Sequence, residues 1–94
     1  MIKLALPCQD VAGEPVTINV RLKQNIVTLL SHDHVCAQFD RTELRECLHR
    51  SSGDLASGDV TWTPTPNGMV LTITSVFVSY LIPDRDLHNL RLYL

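Results

Sequence analysis

Ninety-four residues are enough for one domain with one core and leave no room for several. Ten acidic against eight basic side chains give a formal net charge of −2, an adverse balance for a domain whose main partner is nucleic acid. Three cysteines without regular spacing do not make a disulfide framework. The N-terminal apolar run, broken by Pro7, reads as neither a signal peptide nor a membrane span, so a reducing cytoplasm and no membrane partner are expected.

In chain order, Ile2 to Leu6 reads as a short strand ended by Pro7, and Cys8 to Glu14 as a loop. Val16, Ile18, Val20 and Leu22 alternate with Thr17, Asn19 and Arg21, the period of a half-buried strand. Lys23, Gln24 and Asn25 suit a hairpin turn. Ile26 to Leu30 is apolar at nearly every position, as in a strand covered on both faces. After the tight connection Ser31-His32-Asp33, Val35, Ala37 and Phe39 alternate with His34, Cys36 and Gln38. The period then changes. Leu44, Cys47 and Leu48 share a helical face, with Asp40 and Glu43 in the D-x-x-E form of a capping box.

Ser51 to Gly58 reads as a flexible loop. Asp59 to Thr63 and Met69 to Thr74 form a hairpin about the turn residues Pro64, Pro66, Asn67 and Gly68, with Trp62 in the core. Val76 to Ile82 reads as a further strand with apolar residues on both faces. Pro83 and Asp84 open a last helix with Leu87, Leu90 and Leu94 on one face. No internal repeat or linker is visible in the sequence. The fold class is α+β: a mostly antiparallel sheet of about six strands with two short helices. One sheet face would carry Thr17, Asn19, Arg21, His34, Cys36 and Gln38. Apolar residues on both faces of two strands point to a homodimer, the commonest oligomer.

Three constellations bear chemistry. His32, His34 and Cys36 at a spacing of two would share one side of a strand, and imidazole with thiolate is a zinc set. No C-x-x-C or H-E-x-x-H accompanies them, so neither a metal nor another cofactor is assigned. Ser31, His32 and Asp33 hold the residue types of a triad, but neighbours in sequence point apart and no G-x-S-x-G elbow is present. No enzymatic activity is therefore expected. Arg41, Arg45 and His49 recur at intervals of four along the first helix and could meet phosphates. Glu43 and Glu46 dilute that stripe.

Val35, Phe39, Arg41, Leu44, Leu48, then Gly58-Asp59-Val60 and Trp62, then Pro64, Val70, Ile73 and Pro83 resemble the pattern of the SsgA-like proteins. These are small developmental regulators of filamentous actinomycetes, without known enzymatic activity, that act in sporulation-linked cell division. The resemblance implies a β-rich oligomer that recruits other proteins, and it carries over no catalytic residues. The D-P-Y-A-V-type hairpin segment of that family has no counterpart between Leu22 and Ile26. The expected function is a non-enzymatic regulatory or protein-interaction module, homodimeric and bacterial. Its interaction candidates are His34, Cys36, Gln38, Arg41, Arg45 and His49. Nucleic-acid binding through Arg41 and Arg45 is the alternative, and metal binding through His32, His34 and Cys36 the third reading.

Overall fold

Eight strands and two helices follow one another in a computed structural model that describes residues 1–31, 34–50 and 52–94. The strands are β1 (Ile2–Gln9), β2 (Pro15–Lys23), β3 (Ile26–Ser31) and β4 (His34–Asp40), then β5 (Leu55–Ser57), β6 (Val60–Thr65), β7 (Gly68–Ile73) and β8 (Val78–Pro83). Helix α1 (Arg41–His49) follows β4, and α2 (Asp84–Tyr93) follows β8. All pairings are antiparallel, and the spatial order is β4-β3-β2-β1-β8-β7-β6-β5.

The chain thus runs through four strands and a helix twice. In each unit the strands form a meander, and the first strand of one unit lies beside the fourth strand of the other. At one junction β1 meets β8 at Gln9↔Leu81. At the other, Ser57 Oγ donates to the Gln38 main-chain oxygen at 2.7 Å, drawing β5 to β4. The sheet curls into a nearly closed barrel, with α1 packed against β4, β5 and β6 and α2 against β1, β7 and β8. This removes most of the exposed edge that an open eight-stranded sheet would present.

The inward residues make one core. Alternation along β2 buries Ile18, Val20 and Leu22, and α1 contributes Leu44, Cys47 and Leu48. Trp62 is fully buried with its ring edge-on to Phe39, centroids 6.1 Å apart and planes at 78°. That T-shaped geometry is the favourable one for two aromatic quadrupoles. Leu87 and Leu90 of α2, with Leu94 at its C-cap, close the core.

Several expectations need correction. The sheet has eight strands rather than about six. One of them, β5, lies inside the segment expected to be a loop, where Leu55 pairs with Trp62 and is half-buried. Pro7 does not end β1; it sits within it, opposite Thr17. Proline is tolerated there because β8 pairs with β1 only at Gln9, so little ladder is interrupted on that side. Gln24, not Asn25, takes the positive φ of the β2–β3 turn. Half of the capping box forms: Glu43 N donates to Asp40 Oδ2 at 3.1 Å. The segment from Val76 is not a continuous strand. A 3₁₀ turn, Thr74–Val76, ends at Phe77 with φ 53° and ψ 43°, and β8 begins only at Val78.

Candidate functional site

The arginines of α1 are drawn into the fold. Arg45 Nε donates to the main-chain oxygen of Leu94 at 2.6 Å, and an Arg41 guanidinium nitrogen donates to that of Tyr93. A second Arg41 nitrogen reaches the Gln24 oxygen at 3.4 Å. From the other helix, Arg91 Nε donates to the Leu48 oxygen at 3.0 Å while its Nη1 pairs with Asp84 at 3.0 Å. The last carbonyls of a helix have no intrahelical partner and carry partial negative charge. Each helix therefore supplies cations to the C-terminal carbonyls of the other. Arg41 and Arg45 are a lock between α1 and α2 before they are a surface; His49 is exposed in the last turn of α1.

On β4 the expected alternation breaks. The register with β3 pairs Leu29 with Ala37 but Leu30 with Val35, leaving Cys36 as the extra residue of a β-bulge. A bulge shifts every side chain beyond it to the opposite face. Val35, expected in the core, is 59% exposed, whereas Cys36 packs against the core and its Sγ lies 3.7 Å from the His34 oxygen. Cys36 thus leaves the outer face assigned to it. His34 and Gln38 are both exposed but stand on either side of the bulge and no longer share a face; Gln38 Nε2 lies 3.4 Å from Thr28 Oγ1. His32 and Asp33 lie outside the described residues, and with them that part of the candidate metal set. Among the described residues no group of three or more His, Cys, Asp or Glu side chains converges as a metal site would require.

Two surfaces were missed by sequence reading. The first is at the end of the barrel where the bulge faces the 3₁₀ turn. A cavity of about 400 Å³ opens there, lined by Val35, Cys36, Ile73, Val76, Val78 and Tyr80 together with Ser31, Asp59 and Ser75. Val76 is 61% exposed, and Phe77, immediately beyond it, 94%. A non-glycine residue in the left-handed region costs roughly 1–2 kcal/mol, and a bulky aromatic is unusual there. The Asp59 carboxylate is turned onto Thr74, whose Oγ1 lies 3.2 Å from it, so it is occupied within the fold.

The second is electrostatic. Register sets Lys3 directly opposite Arg21 on the outer face of β1 and β2, with Lys23 two residues further along that face. Among the described residues neither Lys3, Arg21 nor Lys23 forms a salt bridge. The signal was available once pairing was known, because the distance between these residues in sequence conceals their adjacency. No family model, no curated protein and no solved structure matches the chain. The geometry alone therefore carries the functional reading.

A further cleft of about 300 Å³ separates β1 from α2, lined by Leu4 to Pro7, Asp86, Asn89 and Tyr93. Cys8 lies buried nearby, and its Sγ is 3.3 Å from the Val16 oxygen. Burial pushes its thiol up from 9.0 to about 11, partly offset by a backbone hydrogen bond at Ile18 and reinforced by the Asp86 charge. A thiol so raised is a poor nucleophile, since the thiolate is the reactive form. Among the described residues no helix is long and apolar enough to cross a membrane.

Proposed function

We propose that the protein is a non-enzymatic interaction module of the bacterial cytoplasm that works as a homodimer and recruits another protein. The observation that carries this reading is the apolar end of the barrel, where Val35, Val76 and Phe77 are exposed around one cavity. Contiguous exposed apolar surface is costly in water and marks binding surfaces. The resemblance to SsgA-like developmental regulators agrees with a recruiting role. Light scattering from micromolar to millimolar protein tests it: the mass of a dimer is expected, unchanged by salt, with a monomer from the Val76→Asp variant. A wild-type monomer throughout that range would overturn the homodimer.

The basic row supports a second reading, polyanion binding, moved from the α1 stripe to the β1–β2 face. Like charges directly opposite on a sheet destabilise it, and Lys3 against Arg21 is relieved by an anionic ligand between them. Neutralising three cations predicts a salt slope of roughly −2 to −3 for oligonucleotide binding. Anisotropy titrations with a fluorescent single-stranded oligonucleotide should lose that slope in Lys3→Ala/Arg21→Ala, and salt-independent or absent binding in the wild type sinks this reading.

A further inference from the structure

Deepening the homodimer reading, on which it rests, we infer that two copies pair by exchanging Phe77 side chains, each ring entering the other copy's cavity beside Cys36. Knob and hole belong to the same end of one chain. Val76 and Val78 line the cavity, while Phe77 between them does not and stands 94% exposed. A ring that cannot fill its own cavity can fill a neighbour's. Because both elements are adjacent, one two-fold operation satisfies them together, as an isologous interface requires. A partner of another sequence would have to supply a knob for the cavity and a separate pocket for Phe77.

The chemistry around the cavity is compatible with a second copy. Its wall is mainly Val35, Cys36, Ile73, Val76, Val78 and Tyr80, joined by Ser31 and Ser75, and the only charged side chain among its described lining residues, Asp59, is hydrogen-bonded to Thr74. Among the described lining residues a second copy therefore meets no cation, and the one carboxylate is already partnered. The conformation of Phe77 is itself specified: its N–H donates to the Thr74 oxygen at 3.3 Å, closing the turn at φ 53°. The β-bulge on β4 adds Val35 to the same rim. Two aromatic rings supply roughly 300–500 Å² of buried surface, while a specific dimer needs about 1,200 Å² or more. Val35, Val76 and the serine rim must furnish the rest, which sets the pair among weak, transient associations rather than obligate ones.

Site-directed cross-linking of the full chain tests the exchange. In Phe77→Cys the new thiol would sit in the partner's cavity against the native Cys36. Mild oxidation with diamide should give a disulfide-linked dimer whose peptide map joins residues 36 and 77, and Phe77→Cys/Cys36→Ser should lose it. A map showing only 77–77 links, or no covalent dimer, overturns the exchange. Independently, Phe77→Gly keeps the turn, since glycine accepts this φ without strain, and should weaken association at least about tenfold while the thermal midpoint of the monomer does not fall. Unchanged association in Phe77→Gly, with the wild type dimeric, overturns the exchange but not the homodimer. A wild type that stays monomeric at millimolar concentration overturns both.

Discussion

Arg45 separates a structural role from a surface role more cleanly than any other residue of α1. Its Nε reaches the Leu94 main-chain oxygen at 2.6 Å in a part-buried setting, at the open end of α2. A hydrogen bond from a charged donor is worth about 1.5–3 kcal/mol, and a cation at a helix C-terminus about 0.3–1 kcal/mol. The rest of the Arg45 side chain is exposed, so the low end of the combined range applies, and alanine's better helix propensity returns a few tenths of a kcal/mol. Arg45→Ala should therefore lose about 1.5–2 kcal/mol. For a domain of this size that lowers the melting temperature by roughly 6–16 °C. Urea unfolding should show the loss as a lower midpoint with an unchanged slope. Arg45→Lys, which keeps the charge but not the planar fork, should recover only part of it. A loss below about 0.5 kcal/mol, accompanied by weakened oligonucleotide binding, would show that Arg45 serves a ligand and not α2.

Other positions make sharper structural demands. A Cβ added at Gly68 would lie 2.1 Å from the Ile82 oxygen, and its φ of +149° already disfavours L side chains. Strain and overpacking together put Gly68→Ala at about 3–5 kcal/mol, whereas Gly13, with nothing within 4 Å of such a Cβ, should cost about 1 kcal/mol; equal urea midpoints for the two variants would contradict this. Cys8 links stability to alkaline pH. Its thiol is held at about 11 in the fold against 9.0 when solvated, so its contribution is complete below pH ~9 and lost as pH rises through ~11, by about 3 kcal/mol in total. Unfolding free energies of wild type and Cys8→Ala measured at pH 8 and pH 10.5 should converge by more than about 1 kcal/mol, and parallel profiles would refute the assignment.

The legible parts of this fold are those where one residue's neighbours in sequence are also its neighbours in space. The alternation of β2 and the α1 face of Leu44, Cys47 and Leu48 were readable from local chemistry; the hairpin turn expected over Pro64, Pro66, Asn67 and Gly68 exists but is confined to Pro66-Asn67, with Pro64 in β6 and Gly68 in β7. Trp62 and Cys47 lie in the core as expected. The failures have physical causes. A bulge is a property of two strands, so nothing within His34 to Asp40 announces that Val35 turns outward while Phe39 stays inside. Strand β5 is three residues long and has its partner in β6; Leu55-Ala56-Ser57 is too short to show a period. Arg41 and Arg45 do lie on one helix stripe, as their spacing requires, but the carbonyls they serve belong to α2, some fifty residues on. The repetition of four strands and a helix is visible only as topology, because the two units share an outline and not a residue pattern.

What the fold leaves over is informative because it is costly. The buried apolar residues and the arginines that join the two helices have an internal explanation. Phe77 and the Lys3–Arg21 pair do not. A left-handed phenylalanine costs roughly 1–2 kcal/mol and a like-charge cross-strand pair roughly 0.2–1 kcal/mol. A domain of this size holds only about 5–15 kcal/mol in all, so the two features together consume a noticeable share of its margin. Neither is needed to form the turn or the strand that carries it, since glycine would serve the first and threonine the second. Substitutions that relieve them should therefore stabilise the monomer, and if they also abolish association or polyanion binding, the lost stability is identified as the cost of function. The two surfaces lie on different parts of the barrel, one at its apolar end and one on its β1–β2 wall. Relieving one should leave the binding attributed to the other intact, and that independence distinguishes two sites from a general response to a stiffer fold.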